Sequence, residues 1–171
     1  SAASDVYKRQ DLYDFNQFSQ CIDEMAKDYD TVLISMIGYD IQQGFDKKYR
    51  NKGYRIVSSG TRNDPYFLNR QRDLMELADM TISNNIGTHI GYSICLGTPH
   101  YIFNQDITSI KKAASAQASD HLQAIRDREY AEIKAVFNSR EPIITPEQIA
   151  VVKKYWGPFE IKPKFYANTQ E

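Results

Sequence analysis

Apolar residues at Phe15, Phe18, Ile22, Met25 and Tyr29 recur at steps of three and four through residues 11–28. That spacing predicts an amphipathic helix, with Cys21 at the border of its apolar face. Thr31 to Ile37, TVLISMI, is a β-branched apolar run. It is too short for a core helix and suits a buried strand. Gly38 ends it, and Gln42 to Asn51 reads as a short helix stopped by Gly53. Tyr54 to Ser58 (YRIVS) is a second strand, followed by the polar loop Ser59 to Asn63. Asp64-Pro65 predicts a helix start, Asp as N-cap and Pro in the first turn. This helix runs to Ala78 with Phe67, Leu74, Leu77 and Ala78 facing inward. Asp79 to Ser83 (DMTIS) is a third strand, and Asn84 to Thr88 a tight polar turn. His89 to Leu96 is a short helix ended by Gly97 and Pro99, and His100 to Phe103 (HYIF) a fourth strand.

After Asn104 the pattern changes. Lys111 to Ser119 is small and polar and reads as a mobile loop. Asp120 to Asn138 predicts a long charged helix. Its apolar positions Leu122, Ile125, Ile133, Val136 and Phe137 are sparse, so one face is solvated. Thr145-Pro146-Glu147 opens a last helix carrying Ile149, Val152 and Tyr155, and Trp156-Gly157-Pro158 closes it. Alternating strands and helices indicate an α/β chain: a Rossmann-like open parallel sheet of about four strands flanked by helices, with a C-terminal helical extension. The division this implies is a Rossmann-like half-domain over 11–108, a loop over 109–119 and the helical extension over 120–171.

Composition excludes several classes. Hydrophobic residues are 42% and charged residues 25%, which rules out disorder across the whole chain. A net charge of −1 gives no global pull toward nucleic acid. No apolar run approaches the roughly 18 residues of a membrane-spanning helix. Cys21 and Cys95 match no metal or redox spacing and read as reduced, buried thiols of a cytoplasmic protein. The first residues, SAASDVYKRQ, resemble residue for residue the in-frame translation of a transposon-library sequencing adapter. Setting 1–10 aside leaves 161 residues with 19 basic and 21 acidic side chains, a net of −2. The expectation is then a gene cut at its start, with further coding sequence upstream of Asp11.

In an open parallel sheet, ligands bind beyond the carboxyl ends of the strands. Three polar loops fall there: 38–44, 59–64 and 83–88. The third, Ser83-Asn84-Asn85-Ile86-Gly87-Thr88-His89, feeds a strand through small residues into a helix. A helix N-terminus offers unpaired N–H groups and about half a positive charge, which suits a phosphate. Gly87 permits close backbone approach, Ser83 and Thr88 add hydroxyls, and His89 offers an imidazole N–H. The same residue types also cap helices, so local sequence leaves phosphate binding and plain capping both open. In the second loop Arg62 has no evident packing role and suits a phosphate or carboxylate. Arg70 and Arg72 follow as weaker candidates, and Tyr39 and Asp40 of the first loop could line a cleft. His100 reads as structural and His121 as solvated.

No GxGxxG, GxxxxGK[ST] or GxSxG motif is present, and no His/Cys/Asp cluster has metal-ligand spacing. A self-contained catalytic mechanism is not assembled by these residues.

Residues 53–103, GYRIVSSGTRNDPYFLNRQRDLMELADMTISNNIGTHIGYSICLGTPHYIF, resemble the C-terminal, donor-binding half of bacterial GT-B glycosyltransferases of the capsule and lipopolysaccharide type. The segment GTHIGYSICLGTP carries the likeness most specifically, and it extends back over TVLISMIGYDI and forward to Tyr155-Trp156-Gly157. The resemblance implies a nucleotide-sugar donor with its phosphates against Ser83, Asn84, Asn85, Gly87, Thr88 and His89. It implies no bound metal or other cofactor, an acceptor entering from a missing N-terminal domain, and a fragment inactive alone. Full-length enzymes of this kind work in the cytoplasm, some at the inner face of the membrane. Many GT-B families grip the ribose with a glutamate in the helix after this turn, and residues 89–96 contain no acid. In that respect the turn is closer to transferases using CMP-linked sugars or to glycerophosphate transferases, so UDP-, CMP- and CDP-linked donors all remain open. A sugar-nucleotide epimerase and a non-catalytic flavodoxin-like module are the alternatives.

Overall fold

The structure, a computed structural model, describes residues 10–105, 108–110 and 120–162, with side chains over 13–105 and 124–162. Its elements run β1 (Gln10–Leu12), α1 (Phe15–Met25), a 3₁₀ turn (Ala26–Asp28), β2 (Leu33–Ser35), α2 (Gly38–Gln42), α3 (Lys47–Arg50) and β3 (Arg55–Val57). They continue with α4 (Phe67–Leu77), β4 (Thr81–Ser83), α5 (Thr88–Cys95), β5 (His100–Ile102), β6 (Thr108–Ile110), α6 (Asp120–Val136) and α7 (Pro146–Trp156). The chain is thus mixed α/β, and all four expected strands form, each shorter than its apolar run.

The four strands do not join into one open sheet. β2 pairs with β3 and β4 with β5, both parallel, while β1 and β6 form a separate antiparallel pair. Between β2 and β4 lies a cavity of about 970 Å³, walled by residues 32–37 on one side and 79–85 on the other. The two parallel pairs meet there through side chains: Ile34, Met36, Ile56, Ile82 and Phe103 pack around buried Phe18, Ile22 and Tyr49.

Several local expectations shift for physical reasons. The first helix begins at Phe15 rather than near Asp11, because Asp14 caps it by accepting from the N–H groups of Asn16 and Gln17. Residues 10–12 are taken by the pairing with 108–110, so the boundary drawn at 108/109 falls within β6. The first polar loop is helical, since α2 starts at Gly38 and α3 follows after Gly44. Asp64 caps a turn, accepting from Tyr66 N–H, and α4 starts only at Phe67. Leu77 is 76% exposed, and Met75 takes the buried position in its place. Residues 1–9 and 111–119, which include most of the adapter-like segment and the expected mobile loop, lie outside the described residues.

The C-terminal helices are part of the main core. Ile90 and Ile94 of α5, Ile102 of β5, Ile133 of α6, Phe137, and Val151 and Val152 of α7 form one buried cluster. Each such side chain contributes about 1.5–3 kcal/mol on leaving water. Of the described side chains on α6, only Ile133 is buried, which matches its sparse apolar pattern. α7 is held by a capping box between Thr145 and Gln148. α5 and α7 approach closely at Gly91, where an added Cβ would stand 2.9 Å from Trp156 Cγ. After α6, Phe137 C=O accepts from Ile102 N–H at 2.8 Å. Cys21 and Cys95 are free thiols. Among the described residues, no helix is long and apolar enough to cross a membrane.

Candidate functional site

β4 ends at Ser83, and the turn 84–87 delivers the chain into α5 at Thr88. Side chains on a strand alternate, so Thr81 and Ser83 share one face of β4. Across that face, on β5, stands His100, which is 2% exposed. Its Nδ1 lies 2.7 Å from Thr81 Oγ1 and its Nε2 3.0 Å from Ser83 Oγ. Burial holds His100 well below the usual histidine range, reinforced by His89 nearby, so the ring is neutral.

The direction of these bonds follows from counting protons. Ser83 has one hydroxyl proton, and it goes to the Asn85 carbonyl at 2.8 Å. His100 must therefore donate from Nε2 to Ser83 Oγ. Its Nδ1 is then an acceptor and takes the proton of Thr81. Thr81 Oγ1 also lies 3.0 Å from Ser93 Oγ, buried on α5, and 3.2 Å from the Pro99 carbonyl. The chain of bonds runs from Thr81 through His100 and Ser83 to the Asn85 carbonyl.

His89 stands beside the same turn. Its ring is largely buried, and burial lowers its pKa against a backbone hydrogen bond to Asn85 that raises it. Nε2 is buried and has no hydrogen-bond partner. Nδ1 is folded back over the turn, where a Cβ on residue 87 would stand 2.9 Å from it. Gly87 therefore serves a close side-chain approach, and with φ at −164° its backbone is ordinary extended chain. The two imidazole centroids are 5.4 Å apart.

These bonds alter the roles expected of the turn. Ser83 has spent its proton within the fold and has none for a phosphate. Asn84, half-buried, and Asn85 and Thr88, both exposed, keep side chains for a ligand. No side chain caps α5, in contrast to α1 and α7. Its first N–H groups thus form the positive end of a helix dipole without a capping oxygen.

The cavity between β2 and β4 gathers Ser35, Asp40, Ser59, Ser83, Asn84, Asn85 and His89 on its wall. Gly87, Thr88, Arg62 and Tyr39 are not on that wall. Arg62 is exposed and acts electrostatically on Asp40, whose carboxyl burial pushes upward against Arg62's opposing pull. Arg70 is engaged with Asp64 at 2.5 Å and with Ser59 C=O, and Arg72 with Asp73. Sequence reasoning passed over Thr81 and Ser93 and set His100 apart from the site. The i, i+2 spacing of Thr81 and Ser83 was the available signal. The side chain of His121 lies outside the described residues. Among the described residues, no group of three or more His, Cys, Asp or Glu is placed to hold a metal ion. Comparison with family models, curated proteins and solved structures returned no match.

Proposed function

We propose that this chain is the donor-binding half of a GT-B glycosyltransferase of bacterial surface-polysaccharide synthesis, taking a UDP-, CMP- or CDP-linked sugar. The observation that carries the reading is the uncapped start of α5, just past the carboxyl end of β4, beside a cavity of about 970 Å³ that runs along β2 and β4. Ligand cavities commonly span about 300–1,000 Å³, so the volume suits a nucleotide sugar. The negative charge that grows on the leaving phosphate would be met by the positive end of α5 and by Asn84, Asn85 and Thr88. Arg62 would act from the exposed rim through its field on Asp40 rather than as a wall residue. The acceptor, and the base that deprotonates it, belong to an N-terminal domain of the parent enzyme. That enzyme would work in the cytoplasm, with docking at the inner membrane face as a further possibility of the full-length chain.

Titration with UDP, CMP, CDP and UDP-glucose, followed by backbone amide NMR shifts, tests this. Shifts concentrated at residues 84–89 are expected. Silence there with every nucleotide overturns the reading and favours a non-catalytic module. Product analysis on the parent enzyme then separates transfer, which yields a new glycosidic bond, from epimerisation, which yields an altered free sugar.

A further inference from the structure

Among the described residues, the wall of the cavity between β2 and β4 carries one lysine or arginine, the half-buried Lys48 of α3. Its ammonium lies 4.2 Å from the ring centroid of Tyr13, 4.9 Å from that of Phe15 and 5.4 Å from that of Tyr49. The rings brace one another. Phe15 meets Tyr49 edge-on with centroids 4.9 Å apart, and the Tyr13 and Tyr49 hydroxyls are 2.6 Å apart. A ring face attracts a cation through its quadrupole but carries no counter-charge. Among the described residues the Lys48 ammonium makes no hydrogen bond and no ion pair, whereas Lys52 is paired with Asp23 and Lys154 with Glu132. Asp40, on the same wall, interacts with Arg62 rather than with Lys48. The rings thus hold the cation in place and leave its charge unanswered.

The run of α1 places this cation along the cavity. Beyond its far end, Tyr29 Oη–H donates to Met80 Sδ, just ahead of β4. Near its start, Phe18 stacks on Phe103, just past the carboxyl end of β5. Tyr13 and Phe15, and Lys48 with them, therefore lie toward the carboxyl ends of the strands, as does the turn 84–87. Lys48 stands on the side of β3, against which α3 packs, whereas the turn belongs to β4 and α5. A phosphate at the start of α5 leaves Lys48 for a different group of the same ligand. Hydrogen bonds between ionised partners are roughly twice as strong as neutral ones, so an anion suits this position better than a hydroxyl.

We propose that Lys48 is the receptor for a carboxylate on the ligand, held ready by three aromatic rings, and that the donor is accordingly an acidic sugar. The inference rests on the nucleotide-sugar reading for its choice of ligand, while the braced and unpaired ammonium is a property of the free protein. The helix start recognises the phosphate, and Lys48 recognises the acid group of the transferred residue.

The Cε signal of Lys48, read by ¹H–¹³C NMR of the whole chain and assigned with Lys48→Met, reports the contact directly. Glucuronate is compared with glucose, each with UDP or CMP present, and UDP-glucuronate with UDP-glucose. The members of each pair differ only at the carboxylate. An acidic probe is expected to move Lys48 Cε, and its neutral partner to leave it in place. Lys48→Met keeps an apolar stem against the rings. It should weaken UDP-glucuronate by about tenfold and UDP-glucose hardly at all. Lys47→Met, an equal loss of charge at the exposed neighbour, should change neither. Equal weakening of UDP, UDP-glucose and UDP-glucuronate by Lys48→Met assigns the lysine to the phosphates and overturns the acidic-sugar proposal. Amide shifts at 84–89 with Lys48 unmoved by every acidic probe also overturn it and leave the donor-site reading standing. If no nucleotide moves those amides, the donor-site reading fails. Glucuronate alone then decides the receptor, and an unmoved Lys48 rejects it.

Discussion

Gly91→Ala is a sharp test of how α5 and α7 are packed. On helix propensity alone the change is favourable, by about 1 kcal/mol. The structure predicts the opposite sign. The new methyl would stand 2.9, 3.1 and 3.2 Å from Cγ, Cδ1 and Cδ2 of Trp156, where ordinary contact is 3.4–4 Å. The indole ring must move, and it belongs to the last residue of α7, whose Val151 and Val152 lie in the main core. Overpacking of this kind costs about 1–3 kcal/mol. Taken with the propensity gain, the net loss is up to about 2 kcal/mol. In a chain of 171 residues this lowers the melting temperature by up to about 8 °C. Urea unfolding followed by circular dichroism measures it. The decisive arm is a double-mutant cycle with Trp156→Leu, which removes the ring that obstructs the methyl. In that background Gly91→Ala should become neutral or stabilising. A Gly91→Ala protein as stable as the parent, or an equal loss in both backgrounds, would refute the packing argument.

Other outcomes follow from the site. The pKa of His89 and of His100 is lowered by burial, so below the unfolded histidine pKa of about 6.5 the unfolded chain binds more protons. Stability is then complete above pH 6.5 and falls as the pH drops toward 5. The urea midpoint at several pH values checks this, and His100→Asn should flatten the slope. Gly87→Ala should displace the His89 ring and leave the rest of the fold intact, seen as changed His89 nitrogen shifts with an unchanged circular dichroism spectrum. Asp40→Asn should raise the urea midpoint at pH 7, because burial of this carboxylate outweighs the opposing effect of Arg62. An unchanged or lower midpoint would show that the charge is useful where it lies.

The periodic segments were legible from the chain alone because their signal is local. The four apolar runs became β2 to β5, and the sparse apolar positions that include Ile133 and Val136 marked α6 as half-solvated. Pairing between runs was not legible. Nothing in TVLISMI or DMTIS tells whether two such strands share a ladder or stand apart across a cavity, since either arrangement buries the same side chains. The turn 83–89 was found as a candidate because its residue types are distinctive. Its proton order was out of reach, because it depends on His100, which lies 17 residues beyond Ser83 and joins it only in the folded chain.

The hydrogen bond from Ile102 N–H to Phe137 C=O has one more consequence. In β5 this N–H points away from β4, toward the outer side of the pair. The stretch following α6 therefore covers a strand border that would otherwise be open for pairing with another chain. Exposed borders of this kind are templates for intermolecular association. A version of the protein ending before α6 would lose that cover together with Ile133, Phe137, Val151 and Val152 of the core. The C-terminal segment, first read as a helical extension, thus closes part of the outer border of β5.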